Sequence, residues 1–178
     1  MFSFYLYLLV LFLLCIFIII LAIACLMMIL SVFIGVPFIP VKNKEARDMI
    51  SYAEIKPGMK IVDLGSGAGQ LLFLAAKQGA IATGYELNFV LCLWTKWKIF
   101  WRRLKTKVKV HCLSIYKADL HDTDVVFAYL MPGPMKKLAN KLFNELPNKA
   151  KIISYAFSVP NHQPIQTIGK ILIYEVRK

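Results

Sequence analysis

The stretch Ile61-Val62-Asp63-Leu64-Gly65-Ser66-Gly67-Ala68-Gly69 admits few backbone paths. An apolar run ends in an acid, three glycines alternate with small residues, and an apolar helical pattern follows from Gln70 to Lys77. A parallel strand turns tightly into a helix in this way, and the missing Cβ atoms let a nucleotide-like ligand approach the backbone. The helix start then offers unpaired N–H donors. Glu86 stands 23 residues after Asp63 and closes a second apolar run, Ile81 to Tyr85. An acid at that strand tip is placed to accept the hydroxyls of a ribose.

The loop reads G-x-G-x-G, because position 70 is Gln rather than Gly. Asp63 directly before it would repel a dinucleotide's pyrophosphate and would welcome a positively charged amino or sulfonium group. The ligand chemistry this favours is S-adenosylmethionine.

Charge divides the chain. Residues 1–41 hold no Asp, Glu, Lys or Arg, so all 22 basic and 10 acidic residues, a net +12, lie after them. Met1 to Ile34 is almost wholly apolar. About 20 such residues cross a bilayer, so a single transmembrane helix is expected, ended by Gly35-Val36-Pro37-Phe38-Ile39-Pro40. A signal peptide is disfavoured by the missing basic start and by an apolar run more than twice the usual ~7–15 residues. Because every Lys and Arg follows the span, the remainder is expected on the cytoplasmic side, or the matrix side in a mitochondrion. The anticipated domains are a transmembrane anchor, 1–36, and a catalytic domain, 37–178. Cys15, Cys25, Cys92 and Cys112 form no C-x-x-C pair, so neither a metal site nor a disulfide framework is indicated, in keeping with a reducing compartment.

The remaining residues make one domain. Helical patterns at 44–55, 70–77, 89–104 and 135–146 alternate with strand-like runs at 60–64, 81–85, 108–112, 124–129, 151–156 and 171–176. The fold class is therefore α/β and Rossmann-like, a mostly parallel sheet flanked by helices and preceded by a transmembrane helix. In the helix after Glu86, Val90, Trp94, Trp97, Phe100, Trp101 and Leu104 recur at helical spacing among Lys96, Lys98, Arg102, Arg103 and Lys105. This apolar stripe is expected to pack on the sheet; the rival reading lays it against lipid headgroups. The anchor argues against a nucleic-acid partner. Of the three histidines only His162 falls near the expected substrate edge.

Several motifs occur in order: Val36-Pro37-Phe38-Ile39-Pro40, Ile55-Lys56-Pro57-Gly58, Val62-Asp63-Leu64-Gly65-Ser66-Gly67, Gly84-Tyr85-Glu86-Leu87-Asn88, Tyr129-Leu130-Met131-Pro132 and Ser154-Tyr155-Ala156-Phe157-Ser158-Val159-Pro160. Together they resemble the seven-strand methyltransferases that modify lysines of membrane proteins, the ATP-synthase c-subunit and adenine-nucleotide-translocase lysine methyltransferases and their prokaryotic relatives. The resemblance implies S-adenosylmethionine as cofactor, the bilayer as partner and a membrane-protein lysine as substrate. It implies that Gly65, Ser66, Gly67 and Gly69 approach the methionine part, that Asp63 bonds its ammonium or orders the loop, and that Glu86 takes the ribose. Tyr129 and the Met131-Pro132 loop would shape the lysine channel.

This chain departs from the family in three places. Ala68 and Gln70 replace an acid and a base, Phe89 replaces a proline, and Ser114 stands where an acid would bond the adenine amino group. Each loss removes a contact of up to ~1.5–3 kcal/mol, so weakened or rearranged cofactor binding is expected. Two other functions remain open, a methyltransferase acting on a lipid or small amphiphile and a non-catalytic membrane adaptor.

Overall fold

The structure, a computed structural model, describes residues 2–33 and 40–178, with side chains from residues 4–26 and 40–178. It divides into two compact units, Met1–Ile39 and Pro40–Lys178. The first contains α1 (Phe2–Phe33), a helix without a charged residue. Its segment Phe4–Leu26 has 23 residues of mean hydropathy 3.5, none of them buried, and is long and apolar enough to cross a membrane. At ~1.5 Å per residue it exceeds a hydrocarbon core of ~30 Å. The expected helix stop at 35–39 lies outside the described residues.

The second unit runs α2 (Asn43–Tyr52), β1 (Lys60–Leu64), α3 (Gln70–Lys77), β2 (Ile81–Tyr85), α4 (Phe89–Trp101), β3 (Val108–His111), β4 (Val125–Ala128), α5 (Pro132–Glu145), β5 (Lys151–Tyr155), β6 (Gln166–Ile168) and β7 (Ile171–Glu175). The sheet order is β3-β2-β1-β4-β5-β7-β6. The first five strands in that order are parallel, while β7 is antiparallel to both β5 and β6. One face of the sheet buries Met49, Ile50, Leu72 and Phe73 from α2 and α3. The other buries Met135, Leu138 and Leu142 from α5. Burial on both faces explains why β4 is apolar throughout.

Three local features differ from expectation. Helix α5 begins at Pro132 rather than Met135, because a proline at the first helical position has no N–H to leave unpaired. Of the expected stripe only Leu104, just beyond the end of α4, packs against the core. Val90, Trp94, Trp97, Phe100 and Trp101 are all exposed, and the helix instead buries Cys92, Thr95 and Ile99. These smaller side chains bring α4 close enough for Thr95 Oγ1 to donate to Gly67 O, 3.1 Å away. Finally, Cys92 and Cys112 form a disulfide, which spacing alone did not indicate. The fold brings α4 and the end of β3 to a Cα separation of 5.6 Å, within bridging range.

Gly84, in the middle of the strand beside β1, is needed for space. A Cβ there would lie 2.5 Å from Ser66 Oγ and 2.7 Å from Leu72 Cδ1. Gly84→Ala is expected to displace the glycine loop and cost ~1–3 kcal/mol by overpacking. Urea unfolding measures this, and unchanged stability would mean the loop yields freely.

Candidate active site

The glycine loop is strapped to β2 before it reaches the helix. Gly65 N–H and Ser66 N–H both donate to Tyr85 O, at 2.9 and 3.1 Å. Gly69 then caps α3 in the left-handed region, φ +78°, where an L side chain is disfavoured. A Cβ at Gly69 would also sit 2.8 Å from Thr95 Cγ2. The loop therefore has a fixed path between β2 and α4.

Glu86 holds it from the other side. Its Oε2 accepts from Gly67 N–H and its Oε1 from Asn88 N–H, each at 2.7 Å. Asn88 Oδ1 in turn caps α4 by accepting from Val90 N–H and Leu91 N–H. One buried carboxylate thus sets both the loop and the start of the next helix. Each Glu86 oxygen keeps further lone-pair capacity for a ligand hydroxyl.

Asp63 is 4% exposed and receives no hydrogen bond from the described residues. Burial first, and then the charge of Glu86, push its carboxyl up to about 7. Ser66 Oγ is buried in the loop without a partner among the described residues. Unsatisfied buried polar atoms are rare, and Ser66 Oγ is one of them, in a loop of alternating glycines. The set fits the adenosyl sulfonium group expected from the sequence: acceptors for an ammonium and a hydroxyl, beside a loop whose glycines carry no Cβ.

The departures from the family pattern have local replacements. Gln70 Nε2 donates to Asn43 Oδ1 at 2.8 Å, tying the start of α2 to the loop. Lys98 Nζ donates to Ala68 O. Ser114 caps the 3₁₀ turn Ile115–Lys117, with its Oγ accepting from Tyr116 N–H at 3.4 Å.

A second cluster forms where β4 and β5 end, at the same carboxyl edge of the sheet. The Tyr129 ring lies 5.0 Å from Tyr155, edge-on, and 6.5 Å from Phe157, nearly parallel. Ala156, at φ +67°, bends the chain between the last two. Burial raises the Tyr155 hydroxyl above its ordinary value, and the nearby Glu45 charge raises it further. Glu45 belongs to the first turn of α2, and its Oε2 is buried without a partner. No motif in the sequence singles out Glu45. It resembles any acid in a first helical turn, and only the fold carries it to the aromatic cluster.

Pro132 stands exposed at the head of α5. His162 does not join the site, because it stacks on Phe143 and its Nδ1 meets Pro160 O. His111 stacks on Tyr85.

Several known proteins resemble this chain. A relative described as adenine nucleotide translocase lysine N-methyltransferase, from Mus musculus, is 33% identical over 139 residues, covering 77% of this chain and 60% of that protein. The ATP-synthase c-subunit lysine N-methyltransferase of Homo sapiens is 28% identical over 137 residues, covering 77% of this chain and 58% of that protein. The chain therefore spans somewhat under two thirds of these curated relatives. Among solved structures, an RNA methyltransferase from Salinibacter ruber in complex with S-adenosyl-L-homocysteine superposes with a TM-score of 0.76 at 23% identity. That match covers 79% of this chain and 95% of the other, and it shows the fold. Residues 63–166, more than half of the chain and including both acids and the glycine loop, match the model of the ANTKMT methyltransferase domain, so the chain belongs to that family.

Proposed function

We propose that this chain is a membrane-anchored, S-adenosylmethionine-dependent protein-lysine N-methyltransferase, with residues 1–36 as anchor and 37–178 as catalytic domain. The observation that carries the reading is the pairing, at one sheet edge, of the glycine loop and its two acids with an aromatic cluster close to a buried carboxylate oxygen that has no partner among the described residues. The curated relatives are named as lysine methyltransferases, which supports the substrate class. S-adenosylmethionine, when bound, supplies a methyl activated by a positive sulfur.

The chain's own groups divide the remaining work. Asp63 receives the cofactor ammonium, Glu86 the ribose, and Gly65, Ser66, Gly67 and Gly69 the methionine part. Ser114 lies at the adenine end. The rings of Tyr129, Tyr155 and Phe157 exclude water and stabilise a cation through their faces. Glu45 Oε2 takes a hydrogen bond from the incoming ammonium, and desolvation there favours handing over its proton. The resulting neutral amine is the nucleophile, and holding it in line with the methyl supplies most of the acceleration. Pro132 fixes the helix start beside the Tyr129 strand end.

Mass spectrometry of membrane proteins from cells with and without this chain tests the reading. A lysine that loses methyl mass increments supports it. Label from radioactive cofactor entering lipid instead would replace it with methylation of an amphiphile. Absence of any heat on titrating S-adenosylhomocysteine would leave a tethered adaptor. The charge bias favours the cytoplasmic or matrix side for the domain, and protease protection of intact vesicles checks that.

Asp63 makes cofactor binding depend on pH. Its folded pKa, about 7, lies above the unfolded value of ~3.9, so the folded state binds the proton more tightly. Without ligand, the contribution of Asp63 to stability is greatest below the unfolded pKa. It falls as pH rises from ~4 to about 7 and is flat above that. Ligand affinity runs the opposite way, because an ammonium prefers the ionised carboxylate. Affinity for S-adenosylhomocysteine is expected to rise by up to ~10-fold per pH unit approaching neutrality and then level off. Calorimetric titrations on either side of neutrality, repeated with Asp63→Asn, check both slopes. A slope that survives in the variant belongs to another group.

A further inference from the structure

Helix α4 leaves an apolar ridge uncovered. Phe89, Leu93, Trp94, Trp97, Phe100 and Trp101 are each between 46% and 66% exposed. Trp94 and Trp97 stack at 4.8 Å, and Trp101 continues the row 6.1 Å from Trp97. A soluble surface rarely gathers so much aromatic area in one strip without a partner. Cations are interleaved with it, and Lys105 Nζ lies 4.7 Å over the Phe100 ring.

A basic groove flanks the ridge. It is a cavity of about 540 Å³ between the start of α2, α3 and α4, and its bases are Lys42, Arg47, Lys77, Lys98 and Arg102. No carboxylate lines it, and none of the five bases forms an ion pair among the described residues. Its apolar floor includes Phe73, with Lys98 and Arg102 lying 5.0 and 4.7 Å over that ring. Burial, and then the charge of Arg102, hold the Lys98 ammonium below its ordinary value. An anion in the groove would relieve that crowding. Ala68 and Gln70 of the glycine loop line one side of it, whereas Asp63, Glu86, Ser114 and Tyr129 do not, so it adjoins the cofactor cradle without including the residues assigned to the ligand.

We propose that this face binds the membrane interface: the tryptophan ridge enters the boundary between headgroups and acyl chains, and the groove takes the phosphate of an anionic phospholipid. Interfacial tryptophan beside Lys and Arg is the chemistry that recognises an anionic leaflet. A second copy of this chain would set basic groove against basic groove. Val90 and Leu93, exposed within the ridge, suit acyl chains and offer nothing for a nucleic-acid base to stack on. Pro40 lies on the groove wall, and only residues 34–39 separate it from α1. The inference rests on the membrane reading of α1 proposed above.

The chain's three tryptophans all lie on this ridge, so tryptophan fluorescence, excited selectively over tyrosine, reports on it alone. In vesicles of phosphatidylcholine mixed with phosphatidylglycerol, emission is expected to shift to the blue. Brominated lipid should quench it by about half or more, and acrylamide should reach it less. Lys77→Glu combined with Arg102→Glu should remove the phosphatidylglycerol dependence while the protein still floats with vesicles through α1. Protein that floats while its tryptophans stay open to acrylamide and blind to brominated lipid overturns this inference and leaves the anchor standing. Failure to float at all overturns the anchor, and the inference with it.

Discussion

Glu86→Ala is expected to lower affinity for S-adenosylhomocysteine by about two decades or more, through loss of one or two charged hydrogen bonds of ~1.5–3 kcal/mol each. The side chain has two tasks. It is placed for the ribose, and it already holds Gly67 N–H and Asn88 N–H at 2.7 Å. Truncation leaves a buried donor in the glycine loop unpaired and loosens the start of α4 through Asn88. It also removes a charge that keeps the Asp63 carboxyl raised, so the pH dependence of binding should move to lower pH. Glu86→Gln retains one acceptor and should fall between the variant and the wild type. Calorimetry and thermal unfolding read the two tasks separately. Unchanged affinity with a lowered melting temperature would confine Glu86 to holding the loop.

Glu45→Gln should slow methyl transfer by about 10²-fold or more, the usual loss when a positioned proton acceptor is removed. Affinity for S-adenosylhomocysteine should stay near wild type, because Glu45 faces the aromatic cluster rather than the loop. The amide preserves size and keeps one acceptor atom, so a folding defect is not expected to imitate the loss. The discriminating readout is the pH profile of turnover. A proton acceptor at Glu45 predicts that the variant recovers part of its rate as pH rises and free lysine loses its proton unaided. An equal loss at every pH would reduce Glu45 to a binding contact. A parallel loss of cofactor affinity would move it to the methionine end of the cradle.

The centre of this fold was legible because each residue there answers to a local rule. The bounds of β1, α3 and β2 coincide with the expected 60–64, 70–77 and 81–85, since an acid-capped apolar run and a glycine loop leave little freedom. Features decided by distant contacts were not legible. Strand β6 has three residues, too few for alternation to register. The reversal of β7 depends on the hairpin it forms with β6, and its sequence is as apolar as any parallel strand. The spacing of α4 is compatible with burying either side. The decision fell to Thr95, whose hydroxyl finds Gly67 O, and the aromatic side was left outward. Of the proposed site residues, Asp63 and Glu86 stand at the strand tips that the sequence pattern marks, whereas Glu45 comes from a helix whose sequence says nothing of its destination.

The Cys92–Cys112 bridge fastens α4 to the residue immediately after β3, two positions before Ser114. Closing a loop of 20 residues restricts the unfolded chain by ~3 kcal/mol in the entropic account. The fold permits the bond, and the redox poise of the surroundings decides whether it is made. Reductant in a purification buffer is therefore an experimental variable for this protein. Two preparations of identical sequence, one handled with dithiothreitol and one in air, would differ in covalent connectivity, and their melting curves and titrations should be compared only after the thiols have been counted.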